Sequence, residues 1–117
     1  MDWQQLSSQS DLDSLIQRSF VIPCLIFKHS TRCSISSIAK YRLEDDWDIP
    51  HNAIEPYYLD LISNRQVSNS IADHFDIYHE SPQALLIWKG EGIYDASHLD
   101  ITMEDINEAL RKVSAQA

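Results

Sequence analysis

The stretch FVIPCLIFKHSTRCSISSIAKYRL, residues 20–43, decides the fold, because an apolar run is followed by a basic turn and then by helical spacing. The run from Phe20 to Phe27 is short and continuously apolar, which predicts a strand buried on both faces, and Pro23 marks its start or an unpaired side. After the HSTR turn, apolar residues recur on one helical face: Ile35, Ile38, Ala39 and Leu43. We therefore predict a helix that begins close to Cys33 and ends at the acidic stretch EDDWDIP.

Regular patterns also lie on both sides of this unit. Helical spacing from Ser10 to Phe20 predicts a first amphipathic helix, which Ser10 or Asp11 can cap. YYLDLI, residues 57–62, predicts a second strand, and helical spacing after Ser63–Asn64 predicts the next helix. The order strand, helix, strand indicates a βαβ unit.

The last third of the chain changes to a hairpin pattern. A strand is expected from Gln83 to Lys89, followed by a tight Gly-Glu-Gly turn and a short strand through Ile93 and Tyr94. Thr102 is a suitable N-cap for a final helix, whose apolar face consists of Met103, Ile106, Leu110 and Val113. The whole order predicts an α/β fold with a central mixed four-stranded sheet flanked by helices, for which a thioredoxin-like domain is the natural candidate.

Composition narrows the classes of protein to which the chain can belong. Its 117 residues suit one folded domain, residues 1–117, and a hydrophobic content of 44% is ordinary for a globular protein. The formal net charge of −9 repels nucleic acid and anionic membranes, so neither is expected as a partner. No apolar run approaches the roughly 18 residues of a membrane span, and the polar N-terminus is unlike a signal peptide, so we expect a cytoplasmic protein.

The chain contains two cysteines, and their positions argue against a disulfide between them. Cys24 lies inside the apolar run VIPCLIF and is expected to be a buried structural residue. A strand at about 3.3 Å per residue carries the chain roughly 13 Å onward by Lys28, whereas a disulfide needs Cα atoms within about 7 Å. Cys33 therefore needs a separate explanation.

Cys33 has the surroundings of a reactive thiol. A nucleophilic cysteine must be ionised, and a helix N-terminus and neighbouring cations favour the thiolate. Arg32, Lys28 and His29 precede it closely, so we predict that these three side chains stabilise the thiolate. The residues also leave open an unreactive surface thiol, with basic neighbours that only balance an acidic protein.

Two further features bear on the chemistry of Cys33. Ser36 stands where a C-x-x-C protein has its second cysteine, so a mixed disulfide on Cys33 must be released by an outside thiol, as in a monothiol cycle. The Ser81–Pro82 bond precedes the hairpin strand; in a thioredoxin-like fold it would be cis and face the nucleophile, and the Ser81 backbone could pair with an extended substrate. An ordinary trans turn proline remains the alternative.

Three segments together resemble a known family: FKHSTRCSIS, HESPQALLIWKGEGIY and ASHLDIT, with YYLDLISNRQVSNSIADHF between them. They resemble the monothiol bacilliredoxins of the YtxJ type, small thioredoxin-like general-stress proteins linked to the low-molecular-weight thiol bacillithiol. The similarity runs from about Phe20 to Thr102. Members commonly carry proline directly after the cysteine, whereas this chain has Ser34, which affects the first helical turn.

The resemblance implies a function and a set of site residues. It implies that the protein removes bacillithiol from S-bacillithiolated proteins, with Cys33 as the attacking thiolate and Pro82 as the cis-proline beside it. Thr31, Ser36 and Ser81 would bind substrate together with Pro82. Bacillithiol would be a co-substrate and S-thiolated proteins the partners, with no tightly bound cofactor.

Two other functions stay open on the sequence. The domain could be a redox-silent stress adaptor that binds proteins in the groove beside Pro82, or it could bridge an iron–sulfur cluster as C-G-F-S monothiol glutaredoxins do. A metal site is not expected, because the histidines at 51, 74, 79 and 98 lack metal-binding spacing and the acidic residues at 44–46 and 48 lack a calcium-loop pattern. Both glycines fall in the hairpin turn, which argues against a nucleotide-binding loop.

Overall fold

The computed structural model describes residues 2–50 and 52–116, and the side chains of 2–50 and 52–113. Its strands are β1 (Gln4–Gln5), β2 (Cys24–His29), β3 (Glu55–Asp60), β4 (Gln83–Trp88) and β5 (Glu91–Ser97). Its α-helices are α1 (Gln9–Arg18), α2 (Ser34–Asp45), α3 (Arg65–Phe75) and α4 (Met103–Gln116), and a 3₁₀ turn spans His98–Asp100.

The strands form one mixed sheet in the order β1-β3-β2-β4-β5. Strands β1, β3 and β2 run parallel, whereas β4 is antiparallel to β2 and β5 is antiparallel to β4. Strand β2 is therefore paired along both edges, and each of its six residues is buried. The parallel neighbours β2 and β3 are joined through α2, which confirms the predicted βαβ unit.

Helices cover both faces of the sheet, and alternate residues of β2 enter different layers. Cys24 and Ile26 belong to the apolar layer that includes Leu12 and Leu15 of α1 and Ile71 of α3. The opposite layer contains other buried apolar side chains from the sheet and from helices α2 and α4: Leu25, Phe27, Ala39, Leu43, Ile106 and Ala109. This two-sided burial confirms the predicted α/β class with helices flanking a mixed sheet.

The sheet has five strands rather than the four that we predicted. Strand β1 contains two exposed glutamines, Gln4 and Gln5, so it has no apolar pattern that could have revealed it. The predicted start of the central strand at Phe20 is also wrong, because β2 begins at Cys24, directly after Pro23. Phe20 and Val21 lie in a turn and are 55% and 70% exposed.

Caps and turns differ from the sequence expectation in two places. Ser8, not Ser10 or Asp11, caps α1, and its hydroxyl accepts a hydrogen bond from the Asp11 N–H at 3.0 Å. The hairpin loop is Lys89–Gly90, since Trp88 pairs with Glu91, rather than Gly-Glu-Gly. Both loop residues have positive φ, 53° and 77°. A two-residue hairpin loop favours such values because they match the right-handed twist of the two strands.

The start of α4 agrees with the sequence, because the Thr102 hydroxyl accepts a hydrogen bond from the Asp105 N–H at 3.2 Å. No α-helix within the described residues has the length and apolar character needed to cross a membrane.

We expect Gly90→Ala to destabilise the hairpin end of the sheet. Position 90 has φ +77°, and a Cβ there would lie 3.2 Å from the ring of Phe20. Alanine at a positive φ costs about 1 kcal/mol or more, which urea unfolding would measure as a lower midpoint. Lys89→Gly is the matched control and should lose no stability, because glycine is at ease at the φ of 53° found there. Equal stability of Gly90→Ala and wild type would contradict this account of the turn.

Candidate thiol site at the start of helix α2

Cys33 is the N-cap residue of α2. Its backbone is extended, with φ −114° and ψ 118°, and its side chain makes no capping hydrogen bond. The Cys33 N–H donates to the Ser30 carbonyl at 3.1 Å, and the Cys33 carbonyl accepts from the Ser37 N–H at 3.2 Å. The main chain thus fixes the residue while the partly exposed thiol stays free.

The start of α2 presents positive potential to this sulfur. The first N–H groups of a helix have no acceptor within the helix and form the positive end of its dipole. No acidic residue lies in the first turn of α2 to offset them. Arg32 and Thr31 precede the thiol and are exposed, and Arg32 has no salt-bridge partner among the described side chains. Of the three basic residues before Cys33, Arg32 is thus the exposed one.

Ser36 lies below this turn, and its position corrects the expectation that it binds substrate. The side chain is fully buried. Its Oγ accepts a hydrogen bond from the Ser30 N–H at 3.0 Å and lies 2.6 Å from Nδ1 of His29. Since it has no contact with solvent, Ser36 stabilises the Ser30–Cys33 turn rather than touching a bound molecule.

His29 is buried in the layer that contains α2. Its ring stacks on Phe27 with centroids 6.1 Å apart and lies 5.6 Å from the ring of Tyr58. Burial lowers the pKa of His29, and the nearby Lys40 ammonium lowers it further. The imidazole is therefore mainly neutral at pH 7, and its Nδ1 lies within hydrogen-bond distance of the Ser36 hydroxyl. The predicted role of His29 as a cation beside the thiolate is corrected, because a neutral ring adds no positive charge.

Lys28 points away from α2. Successive residues of a strand face opposite sides of the sheet, so Lys28 shares the α1 and α3 side with Ile26. Its fully buried ammonium donates to the Ser68 carbonyl at 3.2 Å and lies 3.3 Å from Nδ1 of His79. The prediction that Lys28 stands beside the thiolate is corrected by these partners, which belong to α3 and to the loop before β4.

Pro82 is brought to the edge of the sheet where β2 ends. The Ser81–Pro82 peptide bond is cis, as expected for a thioredoxin-like fold. Lys28 pairs with Gln83 across β2 and β4, so the start of β4 and the end of β2 lie side by side. The loop with Ser81 and Pro82 and the turn with Cys33 therefore leave the sheet at the same edge. Ser81 is partly exposed, whereas its Oγ is buried without a hydrogen-bond partner among the described atoms.

The other thiol is in a different environment. Cys24 is fully buried at the opposite end of β2, and both cysteines are free. Burial raises the pKa of the Cys24 thiol to about 12, and the Glu55 carboxylate adds to the effect. Cys24 therefore stays protonated at neutral pH and is a structural residue, so the accessible site holds a single thiol.

A sequence model of the family described as monothiol bacilliredoxin BrxC matches residues 4–106 of the chain. The chain belongs to this family. Membership confirms the resemblance drawn from the motifs around Cys33 and Pro82. It also agrees with the single accessible thiol of the site.

Solved structures with the same architecture support the fold. A candidate oxidoreductase with a thioredoxin fold is 29% identical, with a TM-score of 0.75 and 91% of each chain covered. Thioredoxin from Trypanosoma brucei brucei is 9% identical, with a TM-score of 0.74 over 97% of this chain and 92% of that one. A thioredoxin variant from Halobacterium salinarum is 12% identical, with a TM-score of 0.70 over 95% and 89%. The last two show the fold alone. The protein is thus a monothiol redox protein with a thioredoxin fold.

The described side chains contain no group of three or more His, Cys, Asp or Glu residues that could hold a metal ion. His74, His79 and His98 are described, whereas His51 lies outside the described residues.

Sequence reasoning missed the buried polar contacts of Lys28 and of the loop before β4. Ser68 and His79 contact the Lys28 ammonium, and Gln83 binds the backbone of the loop before β4. One signal was available for Lys28, because alternation along β2 puts it on the opposite face from His29. No pattern marked Ser68 or Gln83, since a single polar residue on a buried face reveals nothing of its partners.

We expect alkylation of Cys33 to depend on Arg32. Arg32→Ala removes the adjacent positive charge, and an exposed charge pair contributes about 0.2–1 kcal/mol, so alkylation by iodoacetamide at pH 7 should slow about one-and-a-half- to fivefold. Arg32→Lys should keep most of the rate, and Arg42→Ala, an exposed arginine in the last turn of α2, is the matched control. If Arg32→Ala reacts as fast as wild type at every pH, the arginine does not act on the thiolate.

We also expect the buried Lys28 ammonium to give the stability of the protein a specific pH dependence. Burial lowers the pKa of Lys28 from 10.5 to about 8. Between these two pH values the unfolded chain binds more protons than the folded one, so stability rises with pH. Relative to Lys28→Met, wild type should gain about 2–3 kcal/mol between pH 7 and pH 10, measured by urea unfolding.

The comparison with Lys28→Met removes titrations that both proteins share, such as that of Cys24. Parallel stability curves for the two proteins would show that the ammonium is not desolvated in the folded state.

Proposed function

We propose that this protein removes bacillithiol from S-bacillithiolated proteins through a mixed disulfide on Cys33. The observation that carries the proposal is the single accessible thiol at the N-cap of α2 in a member of the monothiol bacilliredoxin family. The second thiol, Cys24, is buried and cannot resolve a disulfide on Cys33. The arrangement thus suits a cycle in which Cys33 forms one mixed disulfide and an outside thiol then reduces it.

The proposed exchange conserves electrons at each step. The Cys33 thiolate attacks the bacillithiol sulfur of the protein mixed disulfide, a new S–S bond forms, and the substrate protein leaves as a thiolate that takes a proton from water. A second bacillithiol thiolate then attacks the bacillithiol sulfur bound to Cys33. Cys33 is released as a thiolate and bacillithiol disulfide is formed.

Charge supports bacillithiol as the co-substrate. Bacillithiol, the thiol that the resemblance implies, carries carboxylates. The formal net charge of −9 on this chain would repel such an anion from most of the protein surface. Arg32 is exposed beside Cys33 and without an ion pair among the described side chains, so it can attract a carboxylate to the sulfur. Thr31, also exposed, stands next to it as a hydrogen-bonding group.

The protein half of the substrate would bind on the other side of the sulfur. Ser81 is partly exposed and precedes Pro82 at the edge where Cys33 lies. An extended chain can pair with free backbone groups there as an added strand would. We propose S-thiolated proteins as partners, no tightly bound cofactor, and the cytoplasm as the compartment, because a free monothiol cycle needs a reducing environment.

Intact-mass measurement after mixing with bacillithiol disulfide tests this function. Wild type should gain one bacillithiol moiety, and a reductant should remove it. Cys33→Ser should gain none, because the attacking sulfur is absent. Cys24→Ser is the matched control and should react as wild type does, since the Cys24 thiol is buried and protonated.

The other outcomes favour other functions. A wild-type protein that forms no adduct but captures the same partners as Cys33→Ser, insensitively to reductant, would be a redox-silent adaptor. A coloured protein after anaerobic purification would favour iron–sulfur bridging. An adduct on Cys24 rather than Cys33 would overturn the assignment of the site.

A further inference from the structure

The segment between α3 and β4, residues 76–82, is supported from inside the protein by two buried polar side chains. Lys28 and Gln83 lie directly opposite each other on β2 and β4, so their side chains are on the same face of the sheet. Lys28 is fully buried and Gln83 is 1% exposed. Both direct their polar ends to this segment, which ends in Ser81 and Pro82.

Gln83 holds the backbone of the segment at two points. Its Nε2 donates to the Tyr78 carbonyl at 2.9 Å, and its Oε1 accepts from the Glu80 N–H at 3.4 Å. The intervening residue is His79, whose Nδ1 lies 3.3 Å from the Lys28 ammonium and 3.2 Å from the Ser68 hydroxyl. Three consecutive residues, 78–80, are thus fixed immediately before Ser81.

The Lys28 ammonium also ties this segment to α3. It donates to the Ser68 carbonyl, so one buried group connects β2, α3 and the residue His79. Burial and the neighbouring cation lower the pKa of His79, which keeps its Nδ1 free to accept from the ammonium. A second positive charge at Nδ1 would remove that acceptor and break the contact.

A buried cation is an unusual way to fill space in a core. An apolar side chain of similar length would fill the position without the cost of taking a charge out of water. Stability alone therefore does not account for an ammonium at position 28, and its contact with His79 in the segment of residues 76–82 offers a reason.

We propose that Lys28 is a positioning residue, whose ammonium holds His79 and so fixes the backbone of the partly exposed Ser81 for pairing with a disulfide substrate. The inference rests on the proposed function, because it assigns the loop to the protein half of that substrate. It replaces the idea that Lys28 acts on the sulfur of Cys33. Gln83 supports the same loop through its backbone.

The test separates reactivity of the sulfur from presentation of the substrate. The probe is a peptide with one S-bacillithiolated cysteine, and release of the free peptide gives the exchange rate. Lys28→Met should slow this exchange about tenfold or more, since a shift of the order of 1 Å in a positioning group can cost about a hundredfold. Iodoacetamide has no peptide chain to bind at residues 76–82, so the rate at which it alkylates Cys33 should change less than about twofold.

Two further variants show whether Lys28 acts through His79. His79→Ala should slow peptide exchange to a similar extent, and the double variant should be no slower than the slower single one, because both changes remove one contact. Lys89→Met, which replaces an exposed lysine at the far hairpin, is the matched control and should exchange at the wild-type rate.

Each outcome decides the matter. If wild type does not release the peptide, the proposed function fails and this inference falls with it. If wild type is active and Lys28→Met is equally active, only the positioning role is overturned. Slowing of alkylation and exchange by the same factor would assign Lys28 to the sulfur instead. If Lys28→Met does not fold, full activity of His79→Ala overturns the proposal and selective slowing supports it.

Discussion

The site depends on the burial of β2 on both faces and its pairing along both edges. A strand held in this way cannot rotate or slip without exposing an apolar layer, so the direction of every side chain in Cys24–His29 is fixed. Its last two residues, Lys28 and His29, must therefore point into opposite layers. Both are polar and buried, and each has a hydrogen-bonding partner inside the protein: the Ser68 carbonyl for Lys28 and the Ser36 hydroxyl for His29.

The two sides of the proposed disulfide site are supported by these two neighbours. On the α2 side, His29 and the Ser36 hydroxyl stabilise the turn that presents Cys33. On the α3 side, the Lys28 ammonium holds His79 in the segment that leads to Pro82. Because both supports come from one strand, a displacement of the end of β2 would move the nucleophile and the loop together.

Much of the fold could be predicted from the sequence, because the spacing of apolar residues and the positions of turn and cap residues indicated the same elements around Cys33. The helix that begins there, the βαβ unit and the Thr102 cap follow from local patterns that tertiary structure did not override. The start of β2 could not be predicted, since Phe20 and Val21 are as apolar as a core strand yet lie exposed in a turn. Lys28 and His29 were wrongly predicted to lie beside the sulfur because they are close to Cys33 in sequence. Adjacent residues of a strand point to opposite faces of the sheet, so sequence proximity does not place their side chains together. Contacts such as Lys28 with His79, which join distant segments, leave no local pattern.

Ser34 bears on how the sulfur is held. It occupies the first helical position of α2, directly after the Cys33 cap, where the family commonly has proline. Proline there fixes φ and removes the N–H, whereas serine keeps a donor at the helix start. An N-cap side chain is reached by the N–H groups of the second and third helical residues, so the Ser34 N–H is not one of the groups that would face the Cys33 sulfur. Serine leaves φ at position 34 unfixed, so the first turn of α2 is less stiff than it would be with proline. With His29 mainly neutral and Lys28 facing α3, the two remaining candidate sources of positive potential at Cys33 are the N–H groups at the start of α2 and the exposed Arg32.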